Sequence, residues 1–428
     1  MRIRAITLGQ IIPFLYKNET ILSFLQDRLD IFSSFANELK NALKKIEIEV
    51  DTKRFCSQPL FSYDNKLFYE KNLRETLVNI NDQLGFLQDM FKDYDFDYFA
   101  CCMMMADQIE ELGIFEKLLL NEVPQFLKNH RNFFTSLPAA STEKGINIAA
   151  LKSGAKIIKE LSEPDPFNNL QFCVSANVGP NNPFFPAAYH FSEKPGFSLA
   201  LEMADEVINA IEETSTLKDA QLNLLAKFNE IYDNLTKIAE KVSRNFDIEF
   251  KGIDLTPAPY PMIDKSIGTA IEKLGVEYFG ANGTLTCIAL IKNSIPINKK
   301  KIIGFSGFMQ PVLEDFILSK RLSEYKFNLD SLLLYSTMCG AGLDVVPLPG
   351  DITQKELFYI LLDICTISVN LNKPLTCRLM PIPDKSPGDD IEFEFEYFAP
   401  TKIIDFRRII DENKNDLFSR NEKNLKFL

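Results

Sequence analysis

Histidine is nearly absent: His130 and His190 are the only two in 428 residues. Any acid–base chemistry therefore falls to carboxylates, thiols or a single imidazole. The eight cysteines show no framework spacing and no CxxC pair, which argues against a zinc cage and against a disulfide-stapled secreted domain. No run reaches about 18 apolar residues, the length that reads as a membrane-spanning helix. The opening MRIRAITLG has no charged-then-apolar secretory leader. Long basic stretches are missing too. Lys299-Lys300-Lys301 and Arg407-Arg408 are short, the net charge is -12 and the pI is near 5.0, so a phosphate backbone would be repelled. Neither nucleic acid nor a membrane is an expected partner, and a cytoplasmic setting with reduced thiols is expected. No repeat with a period of about 20–50 residues is present, which excludes a solenoid.

What is there is ordinary globular material. Hydrophobic residues make up 46% and charged residues 25%, enough for a large core. Arg2 to Leu8 alternates charged and apolar residues and predicts a strand. Leu22, Leu25, Leu29, Phe32, Phe35, Leu39 and Leu43 recur at helical spacing over Ile21–Lys45. Helices are also predicted over Asn72–Phe91, Asp107–Leu127, Ile148–Leu161, Ser198–Glu213, Lys218–Val242, Ser266–Leu274, Val312–Tyr325 and Thr353–Asn370, the last capped by Thr353. Strands are predicted at Glu47–Val50, Tyr98–Met105, Leu170–Val178, Phe246–Leu255, Lys300–Phe308, the apolar run from Leu332, Pro374–Pro383 and the alternating Asp390–Phe398. Strands and helices alternate about ten times, the signature of an α/β fold with mainly parallel strands. With no long linker, residues 1–428 read as a single large domain, and 414–428 as a loose polar tail.

Ligands of parallel α/β architectures sit at the carboxyl ends of the strands. The loops that follow predicted strands are Gly179–His190, Asp254–Asp264, Ser306–Asp315, Cys339–Asp351 and Pro381–Asp390, and they are expected to share one face. The focal stretch is LLLYSTMCGAGLDVVPLPGD, Leu332 to Asp351. There an apolar run breaks at Cys339-Gly340-Ala341-Gly342, where Gly340 and Gly342 would let a backbone approach a ligand, and Asp344 follows. Cys339 is a candidate nucleophile or radical relay, set against the ordinary buried and inert thiol. His190 is a candidate general acid or base, or else a packed imidazole bonded to a loop carbonyl. Arg378 lies mid-strand and must be paired, either with a substrate carboxylate or phosphate or with Asp344 or Glu314. Asp254, Glu314, Asp315, Asp344 and Asp351 offer oxygen ligands for a hard divalent ion, or act as turn and cap residues. Ser306 lies in Gly304-Phe305-Ser306-Gly307, which is not GxGxxG and has no Walker lysine behind it. No metal or cofactor is assigned.

Longer motifs carry a resemblance. MRIRAITLG, FFPAAYH at Phe184–His190, GIDLTPAP at Gly252–Pro259, GFSGFMQPVLED at Gly304–Asp315, the focal stretch itself, and PLTCRLMPIPDKSPGDD up to Asp390 together resemble the uncharacterised family known as domain of unknown function 711, or uncharacterised protein family 0210. The resemblance implies a pyruvate formate-lyase-like α/β barrel of ten strands in two five-stranded sets, surrounded by helices. It implies no established reaction. It also points to a small ACT-domain protein as a partner. Glycyl-radical chemistry is not expected, because the last glycine is Gly388 and no RVxGY-like loop follows it. Two functions are open. One is an enzyme acting on a small polar or anionic metabolite, with Cys339, His190 and Asp344 as catalytic groups and Arg378, Asp254, Glu314, Ser306, Gly340 and Gly342 binding the substrate. The other is a non-catalytic metabolite sensor working through the ACT-domain-like partner. A homo-oligomer is expected in either case.

Overall fold

The computed structural model describes residues 1–13, 18–61, 73–409, 417–420 and 423–427. The first half of the chain runs β1 (Arg2–Gly9), α1 (Asn18–Lys44), β2 (Val50–Cys56), α2 (Leu73–Asp93), β3 (Tyr98–Cys102), α3 (Ile114–Asn129), β4 (Phe133–Ser141), β5 (Gly145–Asn147), α4 (Ile148–Leu161) and β6 (Phe172–Ala176). The second half runs β7 (Gly196–Glu202), α5 (Ala204–Ile211), α6 (Leu217–Phe246), β8 (Glu249–Ala258), α7 (Ile267–Lys273), α8 (Thr284–Asn293), α9 (Phe316–Ser323), α10 (Leu329–Ser336), β9 (Gly342–Pro349), α11 (Gln354–Leu371) and β10 (Leu375–Ile382).

The strands form one large mixed sheet of eleven, whose main path is β8-β7-β1-β2-β3-β4-β6-β10-β9. β1, β2, β3, β4 and β6 are parallel neighbours. β7 joins β1 antiparallel and β10 joins β6 antiparallel, while β8 lies parallel to β7 and β9 parallel to β10. Strands of one direction thus sit in the middle of the path, flanked by strands of the other. Beyond the flanks, single parallel bridges link Ile302 to Ile253 of β8 and Pro311 to Asp344 of β9.

Helices cover the outer face by the apolar stripe read from the sequence. In α1, Ile21, Leu25, Leu29, Phe32, Phe35, Leu39 and Leu43 are buried. Leu22 is 40% exposed, so the stripe begins at Ile21, one turn before Leu25. Phe35 meets Phe197 of β7 at 4.5 Å between ring centroids, and Phe32 meets Phe55 of β2 at 6.0 Å. Each such side chain contributes about 1.5–3 kcal/mol of burial. Among the described residues no helix is long and apolar enough to cross a membrane.

Several expectations are corrected. The apolar run from Leu332 is not a strand but the core of α10, opened by a capping box between Asn328 and Ser331, and the strand begins at Gly342. A short apolar run such as Leu332–Tyr335 fits either element, and here the cap decides. Ser198 lies in β7, and the helix starts only at Ala204. β4 is not evident in the sequence, because Pro138 in its middle disguises a strand. Lys300–Phe308 supplies bridges rather than a continuous strand, and Asp390–Ile391 pairs with Thr401–Lys402 without extending to Phe398. Thr353 does cap α11, in a capping box with Glu356. Asn72 lies outside the described residues, as do 414–416, 421–422 and 428 of the expected tail. Asn424–Leu425 of that tail pairs with β5. The five candidate loops also do not share one face. β8, β9 and β10 run opposite to β6, so the loops leaving them emerge at the other end from Gly179–His190.

Candidate functional site: an arginine-bearing cavity in the sheet interior

A cavity of about 230 Å³ opens among the inward residues of the sheet. β1 contributes Arg4, β2 Arg54, β3 Tyr98, β4 Phe134, β6 Cys173, β8 Ala258, β9 Asp344, and β10 Thr376 and Arg378. β8 and β9 are the two ends of the main strand path, yet both line this one space. Loop residues, among them Phe184, Phe185, Phe305 and Glu314, supply the rest of the wall.

Alternation along the strands places the charges. On β2, Phe55 stacks on Phe91 of α2 at 4.5 Å, so its neighbour Arg54 points to the other face. Arg54 is 7% exposed. Its Nε donates to Thr52 Oγ1 at 2.9 Å, and its guanidinium lies 5.6 and 5.2 Å from the rings of Tyr98 and Phe185. Among the described residues no carboxylate contacts it, and its two terminal nitrogens have no hydrogen-bond partner. Burial, reinforced by the charge of Arg4, pulls its pKa below the usual arginine value, and the more distant Tyr98, Asp51 and Glu314 only partly offset this.

The other arginines are engaged. Arg378 Nε donates to Asp344 Oδ1 at 2.6 Å and one terminal nitrogen donates to Glu314 Oε1 at 3.1 Å. Burial opposes the charge of Arg378, but Asp344 and Glu314 raise its pKa. Arg4 pairs with Asp51 at 2.9 Å and lies 4.0 Å over the Tyr397 ring. Tyr397 donates in turn to Asp51. This holds the segment carrying Phe393, Phe395 and Phe398 beside the cavity, with Phe395 in its wall. Burial pushes the Glu314 carboxyl up, against the lowering effect of Arg378.

Of the residues expected from sequence, Asp344, Glu314 and Arg378 are brought together on this wall, and Arg378 pairs with both acids. The other six do not line the cavity. Asp254 is fully buried and accepts from the N–H groups of Thr256, Phe305 and Ser306 at 2.7–2.9 Å, fixing the turn that sets Phe305 in the wall. Ser306 Oγ accepts from Leu255 N–H and donates to the Ile303 carbonyl. Gly340 packs backbone to backbone on Gly307, with no room for a Cβ on either. Gly342 has φ +93°, and a Cβ there would strike the Thr376 carbonyl.

Cys339 precedes β9 and is fully buried. Its thiol lies 3.0 Å from the Phe308 carbonyl, and its sulfur accepts from the N–H groups of Ala341 and Gly342 at 3.3 Å each. Burial raises its pKa, opposed by Lys373, whose ammonium bonds the Cys339 carbonyl. A serine hydroxyl can repeat this bonding. Cys339→Ser is therefore expected to change stability by no more than about 1 kcal/mol and to leave ligand affinity at the cavity unchanged. Urea midpoints and ligand titration check this.

His190 is buried with its Nε2 2.7 Å from the Ser192 carbonyl and 3.1 Å from that of Lys194, so Nε2 carries the proton. Burial lowers its pKa. The unfolded chain then protonates first, near pH 6.5, and the folded state loses stability as pH falls below that value, levelling once the folded imidazole also titrates. In melting curves between about pH 7.5 and 5, the wild type is expected to lose more stability than His190→Gln, and that difference isolates the imidazole from the buried carboxyls. Equal losses would contradict this placement.

Metal coordination gains no support from these positions. Asp315 caps α9 and accepts from Ser266 Oγ and Ile267 N–H at 2.6 Å, and Asp351 pairs with Arg408. Among the described residues no group of three or more His, Cys, Asp or Glu side chains is arranged to hold an ion.

Sequence reasoning missed Arg4, Arg54, Tyr98 and Phe134. The signal for Arg54 is slight. The strand expected at Glu47–Val50 lies instead at Val50–Cys56, where DTKRFC shows no alternation of polarity.

Similar proteins occur in several organisms. A protein of Oenococcus oeni described as a UPF0210 protein is 28% identical over 289 residues, 65% of this chain and 64% of its own length. One from Pyrobaculum arsenaticum is 29% identical over 281 residues, covering 63% and 62% of the two chains. One from Lactobacillus helveticus is 27% identical over 333 residues, covering 70% and 72%. The match thus spans slightly under two thirds of the length of the first two relatives. The model of the family described as Uncharacterised ACR (DUF711) matches residues 1–399, and the chain belongs to that family.

Proposed function

We propose that the protein is an enzyme acting on a small anionic metabolite held in this cavity. The observation that carries the proposal is Arg54, a buried guanidinium on the cavity wall with both terminal nitrogens free among the described residues. A buried charge without a partner is costly, and an anionic ligand supplies the partner. Glu314 is the group for proton transfer. It lines the same wall, where burial raises its pKa and Arg378 opposes the rise, so its carboxylate can accept a proton from a bound ligand. Asp344 and Arg378 position it. Cys339, His190, Asp254 and Ser306 brace the loops around it.

The fold reading belongs to the same proposal. Segment 302–311 bridges β8 at one of its ends and β9 at the other. If it serves as a tenth strand, β1, β2, β3, β4 and β6 form one parallel five, and β7, β8, this segment, β9 and β10 form the other. That is the closed ten-stranded pyruvate formate-lyase-like barrel, and the chain is then one barrel domain with the cavity inside it. The shared lining by β8 and β9 supports the closure.

The test is a thermal-shift screen of small carboxylates, phosphates and uncharged analogues, followed by incubation of each hit to look for product. Anions are expected to stabilise and uncharged analogues not, with slow conversion of at least one hit. Binding without conversion would favour the alternative, a sensor that signals to a partner such as an ACT-domain protein.

A further inference from the structure

The charges around the cavity can be paired off. Arg2 and Arg4 share Asp51 and Glu202 through contacts of 2.7–3.9 Å, two cations against two anions. Arg131 at the rim pairs with Asp165 at 3.1 Å. Arg378 stands between Asp344 and Glu314, one cation against two anions. Among the described residues Arg54 is left as the single cation without a carboxylate in contact, and no lysine lines the space. A phosphate monoester carrying a charge of about -1.5 to -2 would meet one free guanidinium and, on the same wall, a surplus carboxylate. A carboxylate of charge -1 matches the guanidinium and can bind it bidentately.

The remaining wall is largely apolar and rich in aromatic rings. Tyr98 and Phe134 pack edge to face at 5.1 Å, Phe134 lies 5.6 Å from Phe185, and Phe184 lies 6.1 Å from Phe305. A cavity of about 150 Å³ holds benzene, so 230 Å³ has room for one ring, or a short branched chain, plus a carboxylate.

Resting on the anion-binding reading above, we propose that the ligand is a monocarboxylate with an apolar or aromatic body, and that the Asp344–Arg378–Glu314 group rejects phosphates. The carboxylate sits on Arg54, the body fills the space among Tyr98, Phe134 and Phe185, and Glu314 repels a second negative charge.

Three probes decide it by calorimetric titration of the full chain: phenylacetate, phenyl phosphate and acetate. Phenylacetate is expected to bind wild type at least tenfold more tightly than either of the others, about 1.4 kcal/mol. Arg54→Gln is expected to abolish the phenylacetate signal. Glu314→Gln, whose amide oxygen can still accept from Arg378, is expected to narrow the gap between phenylacetate and phenyl phosphate. Phenyl phosphate binding as tightly as phenylacetate in an Arg54-dependent way would overturn this inference and leave the anion site standing. So would acetate equalling phenylacetate. Binding indifferent to Arg54→Gln, or no binding by any of the three, would overturn both.

Discussion

Replacing Arg54 by glutamine is expected to weaken binding of the anionic ligand by about 2–5 kcal/mol, on the order of 30- to 3000-fold, while leaving the fold intact. The two effects part company because of what Arg54 lacks. Its Nε bond to Thr52 and its packing on Tyr98 and Phe185 favour the folded state, but the charge itself sits buried with no carboxylate in contact among the described residues. Removing that charge relieves a desolvation cost of the same order as the hydrogen bond and ring packing that go with it. Stability should therefore move by no more than about 1 kcal/mol either way. A residue whose loss spares the fold and abolishes binding is kept for its ligand. Titration of any hit with both proteins, beside urea midpoints, checks the prediction. A large loss of stability would mean that Arg54 is a structural cation.

Arg378→Met is expected to do the reverse and destabilise the fold by about 3–5 kcal/mol. Arg378 stands between the buried Asp344 and the partly buried Glu314 at 2.6 and 3.1 Å, and removing it leaves both without their cation. Burial already raises the Glu314 pKa, and loss of Arg378 would raise it further. Adding Asp344→Leu to Arg378→Met removes one of the stranded acids, and part of the loss is expected to return, as it does when a buried pair is replaced whole. The measure is the shift in urea midpoint at constant slope. A loss below about 1 kcal/mol for the single variant would show that water reaches the cluster and screens it.

How far the sequence reaches follows from which signals are local. The stripe of α1, the cap at Thr353 and the βα alternation are written in spacing a few residues long, and they are legible. The partners of Arg378 are legible as well, because a guanidinium within a strand needs a carboxylate and two lie near in the loops. Three things are not. The direction of each strand is fixed by its neighbour across the sheet, so five loops that each follow a strand look alike, although β6 and β8 point opposite ways. The apolar run Leu332–Tyr335 has no polar interruption to set its period, and the Asn328 capping box that settles it as helix lies upstream. That one error moves Cys339 from the end of a strand to the turn before one. Arg54 escapes because its strand carries charge on both faces, Lys53 outwards to the Tyr94 carbonyl and Arg54 inwards, and so shows no alternation of polarity.

The measurement that tests the central claim most directly is the thermal-shift screen run side by side on wild type and Arg54→Gln. At about 100 times its dissociation constant a ligand adds roughly 2.7 kcal/mol, a rise of a few degrees in a chain of this length. The site described here predicts that at least one small carboxylate raises the melting temperature of the wild type and leaves that of Arg54→Gln unmoved. Equal shifts in the two proteins would place the ligand elsewhere and contradict it.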